Sequence, residues 1–403
     1  MRESFDFLII GGGVMGLAVG NALLDLDLGY KVIIAEKEDR IGAHTSTRNS
    51  GVLHAGFYYS TESLKARFCV DGNRLMTQYV KDNNLVLRNI GKVVLAKNDA
   101  EYQRLLTLLE RGTANGCSID LLHPDALKSI EPLAHTKHPF IWSPKTSVVD
   151  ASSVVKSLLS DFTRKGGQVS LKSTVGFSPK NNDVTISGKK VDVGLVINLA
   201  GNHALSIAKS VGVGEEYGLL PVLGAYKETQ KVNLPLSTLV YPVPHPVNPF
   251  LGVHLTPTVR ETVKVGPTAL PVFGPEQYSI RSKPTFRELL ESFSSLQRFG
   301  RLQSSALMAI IRTEFPYLSL NNVLRDVAQL VPDAARSSGW KQLKPGIRAQ
   351  LINKNSGQFV SDFLIKRGGN ILHVLNVVSP GFTSALSFGR YVADVAIGRE
   401  STA

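Results

Sequence analysis

Cysteine is scarce in this chain, which contains two cysteines among 403 residues. Cys69 and Cys117 have no metal-ligand spacing, and two cysteines are too few for the disulfide framework of a small secreted domain. We therefore predict no disulfide framework and no metal site. Both thiols fit a reducing compartment, where cysteine most simply acts as a small buried hydrophobic residue.

A concentrated run of basic charge is also missing. The formal net charge is +12, but lysine and arginine are spread along the chain, and it contains no recognisable nucleic-acid-binding motif. We predict no nucleic-acid partner. The basic excess forms either a solvated surface or a surface that contacts anionic lipid or an anionic substrate.

The chain contains no run that is typical of a membrane-spanning helix. Residues 7–24 carry no charged side chain and have about the length that a bilayer requires, but they include five glycines and Asn21. They also divide into a short strand and a separate helix. No signal-peptide cleavage site follows, and no targeting segment precedes residue 5. With the sparse cysteine, this predicts a cytoplasmic protein.

The composition is that of a globular enzyme. Apolar residues make up 43% of the chain and charged residues 19%, which excludes disorder. A chain of 403 residues accommodates two domains, or one domain with a large insertion. There are no internal repeats and no low-complexity linker.

The strongest motif lies in the first forty residues. An apolar run at 5–10 is followed by a glycine turn at 11–16, a helical stretch and a second apolar run that ends in an acid. Such a unit binds a dinucleotide, because its glycines allow a tight turn, close approach of the backbone to a pyrophosphate and close packing of the helix. The helix N-terminus presents free N–H groups to the phosphates, and the acid accepts hydrogen bonds from the adenosine ribose. The predicted dinucleotide-binding residues are Gly11, Gly13, Val14, Met15, Gly16 and Glu36.

A loop of small and polar residues follows. Residues 48–59 read Arg-Asn-Ser-Gly-Val-Leu-His-Ala-Gly-Phe-Tyr-Tyr. This stretch resembles the signature of the L-2-hydroxyglutarate dehydrogenases and oxidases, which belong to the D-amino-acid-oxidase superfamily of flavoproteins. The resemblance extends over nearly the whole chain, with further matches at residues 63–66, 91–96, 196–201, 241–244, 249–256, 265–267, 346–350, 362–363 and 379–384.

The resemblance implies an α/β architecture. It has a Rossmann-like FAD-binding domain of the glutathione-reductase and D-amino-acid-oxidase type, with an inserted α+β substrate domain that contains a mixed sheet. The implied FAD-binding domain comprises residues 1–80, 150–215 and 345–403, and the substrate domain comprises residues 81–149 and 216–344. Hydrophobic periodicity and helix-end signals predict helices at 101–116, after Asp150, and at 285–300, 304–315, 320–330 and 385–397.

The resemblance also implies FAD as the cofactor. The loop at 45–51 would run beneath the pyrophosphate and ring system, Val175 would cover the adenine, and the loop before the last helix would face the pyrimidine edge of the flavin. The cofactor residues implied beyond the glycine turn are Lys37, Thr45, Ser46, Arg48, Asn49, Ser50, Gly51, Val175, Ala200, Gly201, Gly381, Phe382, Thr383 and Ser384.

Oxidation of a 2-hydroxy acid requires a base for the hydroxyl proton. Histidine suits this role because its unperturbed pKa lies near ~6.5, and the resemblance singles out His254 and His54. His254 would follow an apolar strand at 250–253. The alternatives are a buried structural histidine at 254 and, for His54, a role in orienting the flavin loop.

The same reaction requires a group that binds the substrate carboxylate. Arg348 is the candidate, because the planar guanidinium binds a carboxylate through two hydrogen bonds and stays charged. A structural salt bridge to Asp362 is an equal alternative. Two tyrosines are candidate hydroxyl donors to the substrate, Tyr58 and Tyr241.

Two departures from the family pattern concern the substrate. Arg48 stands where the family usually has histidine. A strand that carries arginine and an acid in the family contains Leu223 and Ala225 here, on one face of the strand. If the missing pair is structural, apolar packing replaces it at little cost. If the missing arginine binds the distal carboxylate, this protein oxidises a different acid.

The leading hypothesis is FAD-dependent oxidation of L-2-hydroxyglutarate to 2-oxoglutarate, with oxygen or a quinone as electron acceptor. The alternatives are oxidation of another small acid, such as an amino acid or glycerol phosphate, and a non-catalytic flavin-binding assembly factor. Residues 281–344 carry ten Lys and Arg against five Asp and Glu, a local net charge of +5. This region is either a peripheral membrane face, which would put the protein against the inner membrane, or an amphipathic helical region with a basic solvent side.

Overall fold

The computed structural model describes residues 3–178, 183–245, 252–279 and 281–400. Its α-helices are α1 Val14–Leu24, α2 Leu64–Asp82, α3 Asp99–Ala114, α4 Leu127–Ile130, α5 Ala151–Arg164, α6 Ala204–Ser210, α7 Phe286–Leu302, α8 Ser304–Glu314, α9 Leu320–Val327 and α10 Ala385–Ala396. Its strands are β1 Ser4–Ile10, β2 Val32–Ala35, β3 Val52–Leu53, β4 Leu87–Arg88, β5 Lys92–Leu95, β6 Asp120–Leu122, β7 Phe140–Ser143, β8 Ser147–Val149, β9 Gln168–Ser170, β10 Val175–Ser178, β11 Asp183–Ile186, β12 Lys189–Asn198, β13 Tyr217–Gln230, β14 Leu239–Pro242, β15 His254–Pro257, β16 Thr262–Pro271, β17 Lys341–Gln342, β18 Gly346–Asn353, β19 Leu364–Gly368 and β20 Ile371–Leu375.

One sheet is built around the N-terminal strand. Its order is β10-β11-β12-β1-β2-β9, and β20 joins it beside β12, with β19 next to β20. The strands β12, β1, β2 and β9 run parallel, as expected for a β-α-β unit. The central strands β1 and β2 are the most buried, with residues 7–10 of β1 and all four residues of β2 apolar and buried, as expected for a covered parallel sheet.

Helices α1 and α10 pack closely against each other beside this sheet. A Cβ atom on Gly389 of α10 would lie 2.9 Å from the Cβ atom of Ala18 in α1, so only glycine permits this approach. The shared core includes Ile9, Leu17 and Phe388, none of which is exposed to solvent. This packing holds the last helix against the helix that follows the glycine turn.

A second sheet of nine strands follows the order β17-β13-β16-β15-β14-β5-β7-β6, and β18 also pairs with β13. It contains both antiparallel pairs and the parallel pair β5–β14, so it is mixed. A third, small sheet joins β3, β8 and β4. The predicted α/β architecture with a mixed second sheet is confirmed. The domain boundaries stay a prediction. Strand β18 pairs in the second sheet, although residue 345 is the predicted start of the last FAD-binding segment.

The predicted helix starts rest on capping side chains. Asp150 caps α5 by accepting a hydrogen bond from the Ser152 N–H at 2.9 Å. Thr285 and Glu288 form a reciprocal capping box at the start of α7.

The predicted strand at 250–253 is wrong where it is described, since β15 begins at His254. Residues 250 and 251 lie outside the described residues. Among the described residues, no helix is both long and apolar enough to cross a membrane.

Candidate active site

The glycine turn between β1 and α1 has the geometry that a dinucleotide requires. Gly11 has a φ of +106°, and a Cβ atom there would lie 2.6 Å from the Leu199 carbonyl oxygen. A Cβ atom on Gly16 would lie 2.1 Å from the Gly11 carbonyl oxygen. Gly13 is the N-cap of α1 and offers no side-chain cap, which leaves N–H groups of the first turn for an anion.

Glu36 is buried at the end of β2 beside this turn. One carboxylate oxygen accepts a hydrogen bond from the Gly12 N–H at 2.8 Å, and the other accepts one from the Glu38 N–H at 2.9 Å. The Glu36 carbonyl accepts a hydrogen bond from Ser173, two residues before Val175 starts β10. The structure thus brings Glu36 and Val175 to the same end of the sheet as the glycine turn.

The side chain of Lys37 is engaged away from the turn. It forms ion pairs with Glu38 and with Glu276, the latter at 2.5 Å. Glu38, His44 and Glu276 place possible metal-ligand atoms close together. Lys37 pairs with both carboxylates, so the described residues of this cluster form a salt-bridge network.

The loop at 45–51 is shaped by its own polar side chains. The Ser46 hydroxyl accepts a hydrogen bond from the Val14 N–H at 2.9 Å, which ties the loop to the first turn of α1. Asn49 donates to the Ser46 carbonyl at 2.9 Å and accepts from the Gly51 N–H at 2.8 Å. Thr45 donates to the Ile347 carbonyl in β18 at 3.0 Å. The loop therefore links the glycine turn to the second sheet.

Arg48 and Ser50 lie on the side of this loop that faces the second sheet. The Arg48 guanidinium donates to the Ala43 carbonyl at 3.0 Å and lies 4.0 Å from the centre of the Tyr278 ring. The Ser50 carbonyl accepts a hydrogen bond from the Lys264 ammonium at 3.3 Å. The arginine at position 48 is thus held by a carbonyl and an aromatic face.

The loop before α10 contacts the loop that carries His54. The Thr383 hydroxyl donates to the Val52 carbonyl at 3.3 Å and accepts from the His54 N–H at 3.1 Å. Ser384 is the N-cap of α10 and is fully buried. Thr383 therefore ties the loop at 381–384 to the backbone around His54. On the other side, Ala200 and Gly201 follow directly after Leu199, whose carbonyl contacts Gly11.

His254 is buried at the start of β15. Its Nδ1 atom lies 2.9 Å from the Gly252 carbonyl, a contact that requires a proton on Nδ1 and leaves a lone pair on Nε2. The ring stacks on Tyr241 with centroids 3.8 Å apart, and Tyr226 approaches edge-on at 6.3 Å. Burial lowers the pKa of His254 to about 3, with a smaller lowering by Lys92. His254 is thus neutral at physiological pH.

His54 lies near His254 and Lys92. The buried cluster of His54, Tyr58, Lys92, Tyr241 and His254 is called the chamber below. Burial lowers its pKa well below the ordinary value, and the charges of Lys92 and His254 lower it further. Asn73 fixes the backbone by donating to the His54 carbonyl at 3.1 Å. Within the described ranges, His54 Nδ1 and His254 Nε2 are buried and have no hydrogen-bond partner.

Arg348 projects from β18 opposite Val222 of β13. Burial lowers the pKa of its guanidinium, and the nearby Tyr59 opposes this effect. The Asp362 carboxylate accepts hydrogen bonds from the backbone N–H groups of Leu64 at 2.7 Å and Lys65 at 3.0 Å. Asp362 therefore has a structural role at the start of α2.

Sequence reasoning missed three residues in or near this chamber. Lys92 begins β5, is 0% exposed, and has its ammonium over the rings of Phe57, Tyr58 and Tyr241. Tyr59 forms a hydrogen bond with Ser379 and lies near Arg348. Lys65 donates to the Ser361 carbonyl at 2.6 Å, and burial, together with the charge of Arg348, lowers its pKa to about 7. The sequence signal available for Lys92 was a lysine at the first position of an apolar strand.

The departure at positions 223 and 225 lies on the other face of the sheet. Leu223 is directly opposite Ile347, whereas Val222 is opposite Arg348. Side chains alternate along a strand, so Leu223 and Ala225 point to the face opposite Arg348. The substitution of this pair therefore does not remove a group from the Arg348 face.

The arrangement is that of a flavin-dependent oxidoreductase, and comparison with known proteins identifies the family. The profile of the family described as FAD dependent oxidoreductase (DAO) matches residues 6–395. The chain belongs to this family, so FAD is its cofactor and the chain is an FAD-dependent oxidoreductase. The residues of the glycine turn, with an uncapped helix start and a fixed acid, fit the dinucleotide half of that cofactor.

Comparison with individual relatives gives a more specific similarity than the family profile does. The chain is 32% identical over 396 residues to the L-2-hydroxyglutarate dehydrogenase of Escherichia coli (strain K12), covering 96% of this chain and 92% of the relative. It is 34% identical over 406 residues to the protein of the same name from Indibacter alkaliphilus, covering 98% and 99%. It is 30% identical over 414 residues to the mitochondrial L-2-hydroxyglutarate dehydrogenase of Caenorhabditis briggsae, covering 98% and 94%. The family resemblance recognised in the sequence is confirmed.

Solved structures confirm the fold. L-α-glycerophosphate oxidase from Mycoplasma pneumoniae, solved with FAD bound, superimposes with a TM-score of 0.75 at 21% identity, covering 98% of this chain and 95% of that chain. Glycine oxidase from Geobacillus kaustophilus gives a TM-score of 0.73 at 18% identity, covering 100% and 96%.

Proposed function

We propose that this protein oxidises L-2-hydroxyglutarate to 2-oxoglutarate. The observation that carries the proposal is the tautomer of His254, whose Nδ1–H···O=C contact with Gly252 leaves Nε2 as a buried acceptor. The names of the relatives supply the substrate, and the family supplies FAD. Bound FAD would supply the acceptor for the C2 hydride.

In this proposal Nε2 of His254 takes the hydroxyl proton of the substrate as the C2–H bond breaks. The low pKa keeps His254 unprotonated at neutral pH, which a general base requires, although it also makes the imidazole a weaker base than a histidine in water. Tyr241 stacks on the imidazole and fixes its plane. Arg348 binds the carboxylate next to the hydroxyl carbon, and Tyr58 donates to the substrate. His54 holds the flavin loop through Thr383.

An anaerobic substrate panel tests the proposal. The holoenzyme is mixed with L-2-hydroxyglutarate, D-2-hydroxyglutarate, glycine, L-proline or glycerol 3-phosphate, and loss of the visible flavin absorbance is followed. We expect rapid bleaching by L-2-hydroxyglutarate alone. Bleaching by an amino acid or by glycerol phosphate instead would replace the substrate, and bound FAD that none of these acids reduces would favour the non-catalytic alternative.

We also infer a peripheral membrane face, which supports a quinone as electron acceptor rather than oxygen. Nine of the fourteen large hydrophobic side chains that are exposed among the described residues lie between 286 and 318. The basic residues between positions 281 and 318 are exposed as well, whereas the acidic residues of the same range are at least partly buried. Exposed apolar side chains with surrounding positive charge favour an anionic lipid surface. The exposed basic residues are Arg281, Lys283, Arg287, Arg298, Arg301 and Arg312.

Vesicle co-sedimentation tests this face. Phe286 is 75% exposed and Phe293 is 56% exposed, so their replacement by glutamate removes apolar contact and adds repulsion. We expect Phe286→Glu/Phe293→Glu to abolish binding to phosphatidylglycerol vesicles, whereas Val232→Glu, at an 84% exposed position elsewhere, retains it. Absence of wild-type binding at low salt would end the idea. Reoxidation of the reduced enzyme by a soluble quinone analogue and by oxygen then separates the two acceptors.

A further inference from the structure

Lys92 is a buried cation in the chamber of His254. The residue is 0% exposed, and it is the first residue of β5, which pairs in parallel with the β14 strand that carries Tyr241. Its charge acts on both His254 and His54. Lys92 and the proposed base therefore contact the same ring, that of Tyr241.

Three aromatic faces surround the Lys92 ammonium. The nitrogen lies 4.3 Å from the ring centre of Phe57, 4.5 Å from that of Tyr58 and 4.9 Å from that of Tyr241. Contact with ring faces offsets part of the cost of removing an ammonium from water, but a buried ammonium still requires hydrogen-bond acceptors or an anion. Within the part of the chain that the structure describes, the Lys92 nitrogen has no hydrogen-bond acceptor.

The protein also supplies no anion to Lys92 among the described residues. Burial lowers the pKa of Lys92 to about 7, and the groups that oppose this effect are the thiols of Cys69 and Cys117. Burial raises the pKa of both thiols, that of Cys117 to about 11, so both stay protonated at neutral pH. The described residues therefore leave the Lys92 ammonium without a counter-ion.

A second cationic group, Arg348, is linked to Lys92 through Tyr59 and Cys69, since Tyr59 interacts with both Arg348 and Cys69, and Cys69 interacts with Lys92. Arg348 has Lys65 and Tyr59 near it, whereas the preceding residue, Tyr58, lies under Lys92. Lys65, the third cationic group, donates to the Ser361 carbonyl. Arg348 and Lys92, together with the acceptor nitrogen of His254, match a substrate with two carboxylates and one reacting hydroxyl. A monocarboxylic acid would leave Lys92 without an anion.

We propose that Lys92 binds the second carboxylate of the substrate and thereby selects dicarboxylic acids over monocarboxylic ones. The inference rests on the proposed function for the identity of the dicarboxylate, with Arg348 on the carboxylate beside the reacting carbon. It assigns the distal carboxylate to the β5–β14 side of the chamber rather than to positions 223 and 225 of β13.

A pH dependence of binding follows. The titratable groups that face Lys92 are His54 and Tyr58 from the loop after β3, Cys69 from α2, Cys117 after α3, Tyr241 from β14 and His254 from β15. Burial keeps these neighbours neutral near pH 7. Binding of a dicarboxylate then takes up a proton at Lys92, and its affinity falls as the pH rises above about 7.

The test measures binding without turnover. Glutarate and pentanoate have the same chain length and differ in the second carboxylate, and both perturb the visible spectrum of bound FAD when they occupy the site. In Lys92→Met, which keeps the apolar stem, we expect the Kd of glutarate to rise by about 30-fold or more, while that of pentanoate changes by less than about threefold. Lys97→Met is the matched control, since Lys97 lies just after the same strand and pairs with Asp326.

Other outcomes would overturn the inference. Equal loss of both ligands, or of neither, removes Lys92 from carboxylate recognition. Unchanged glutarate binding with loss of flavin reduction by every hydroxy acid would make Lys92 a base instead. If Lys92→Met fails to fold, the pH dependence of binding to the wild-type holoenzyme tests the inference. Glutarate affinity must weaken above about pH 7, and pentanoate affinity must not.

The inference and the proposed function fail in different ways. If Lys92-dependent glutarate binding is found but L-2-hydroxyglutarate does not reduce the flavin, the site still selects dicarboxylates and the substrate is another diacid. If L-2-hydroxyglutarate reduces the flavin equally well in Lys92→Met, the proposed function stands and the inference is wrong.

Discussion

The glycine turn and the histidine chamber differ in how their polar groups are satisfied. At the turn, both carboxylate oxygens of Glu36 accept backbone hydrogen bonds, and the Ser46 hydroxyl accepts one from Val14. In the chamber, buried polar atoms of described residues have no hydrogen-bond partner in the protein, namely His54 Nδ1, Tyr58 Oη, Lys92 Nζ and His254 Nε2. Native proteins rarely leave buried polar atoms unpaired.

This difference separates a scaffold from a recognition site. At the turn, the protein satisfies the side chains of Glu36 and Ser46, so these side chains are fixed and the free N–H groups at the start of α1 are held in place for a dinucleotide. The chamber concentrates unpaired donors and acceptors where a polar substrate can pair with them, and a substrate that matches them gains binding energy and specificity. Mutations should therefore affect cofactor retention at the turn and reaction rate in the chamber.

The largest expected effect is at Gly16. A Cβ atom there would lie 2.1 Å from the Gly11 carbonyl oxygen, so Gly16→Ala must displace the backbone of the turn. We expect the purified variant to contain almost no FAD by absorbance. Gly20→Ala in the same helix is the control, since its Cβ atom meets the ring edge of Phe162 at 2.7 Å, and a side chain can move. Normal FAD content in Gly16→Ala would contradict the scaffold assignment.

Next in size is replacement of the proposed base. His254→Gln removes the Nε2 lone pair while keeping a polar side chain, and we expect the rate of flavin reduction to fall by about 10²–10⁴-fold with FAD retained. His373→Gln is the matched control, because His373 is also buried and burial lowers its pKa to about 4, yet it contacts Asn198 in the first sheet. Stopped-flow reduction under anaerobic conditions measures both variants, and equal rates for His254→Gln and wild type would exclude His254.

The buried histidines also predict how stability depends on pH. His254 and His373 have folded-state pKa values of about 3 and about 4, below the ordinary value of 6.5. At pH values between the folded-state pKa values and 6.5, the unfolded chain binds more protons than the folded one. The free energy of unfolding therefore falls as the pH decreases below 6.5. Thermal unfolding from pH 7 to pH 4 checks this, and His373→Gln should weaken the pH dependence. A melting temperature that stays constant in the variant and the wild type alike would contradict burial as the cause.

The smallest effect is expected for restoring the charged pair of the family strand. Leu223→Arg/Ala225→Glu places both charges on the sheet face opposite Arg348, so the KM for L-2-hydroxyglutarate should stay within about threefold of wild type. Val222→Asp is the contrast, since Val222 lies directly opposite Arg348 and its carboxylate would compete with the substrate. A large gain in affinity from the double substitution would indicate that the distal carboxylate of the substrate binds at this strand.

The glycine turn was predictable because its signal is local. Gly11, Gly16 and Glu36 lie within one β-α-β unit, and backbone sterics fix what each position tolerates. Helix starts at Asp150 and Thr285 were equally local, since a cap depends on residues two or three positions away. The family profile and the relatives confirm the cofactor that this unit implied.

The chamber was only partly predictable. The resemblance singled out His254, His54 and Arg348, but Lys92 and Tyr59 have no recognisable spacing to them in the chain. Whether a lysine at the head of a strand points to solvent or into a chamber depends on which strands flank it, and β5 is flanked by β14 and β7 from distant segments. The face on which Leu223 lies likewise required the register of β13 and β18.

The sequence by itself determined the dinucleotide unit, the cofactor class and the helix ends, because each rests on contacts between residues close in the chain. Only the tertiary structure decided which buried charges share the space around His254, how its tautomer is fixed and which sheet face Leu223 occupies. These properties depend on long-range strand pairing, and the electrostatic environment of a side chain is set by neighbours in space rather than in sequence.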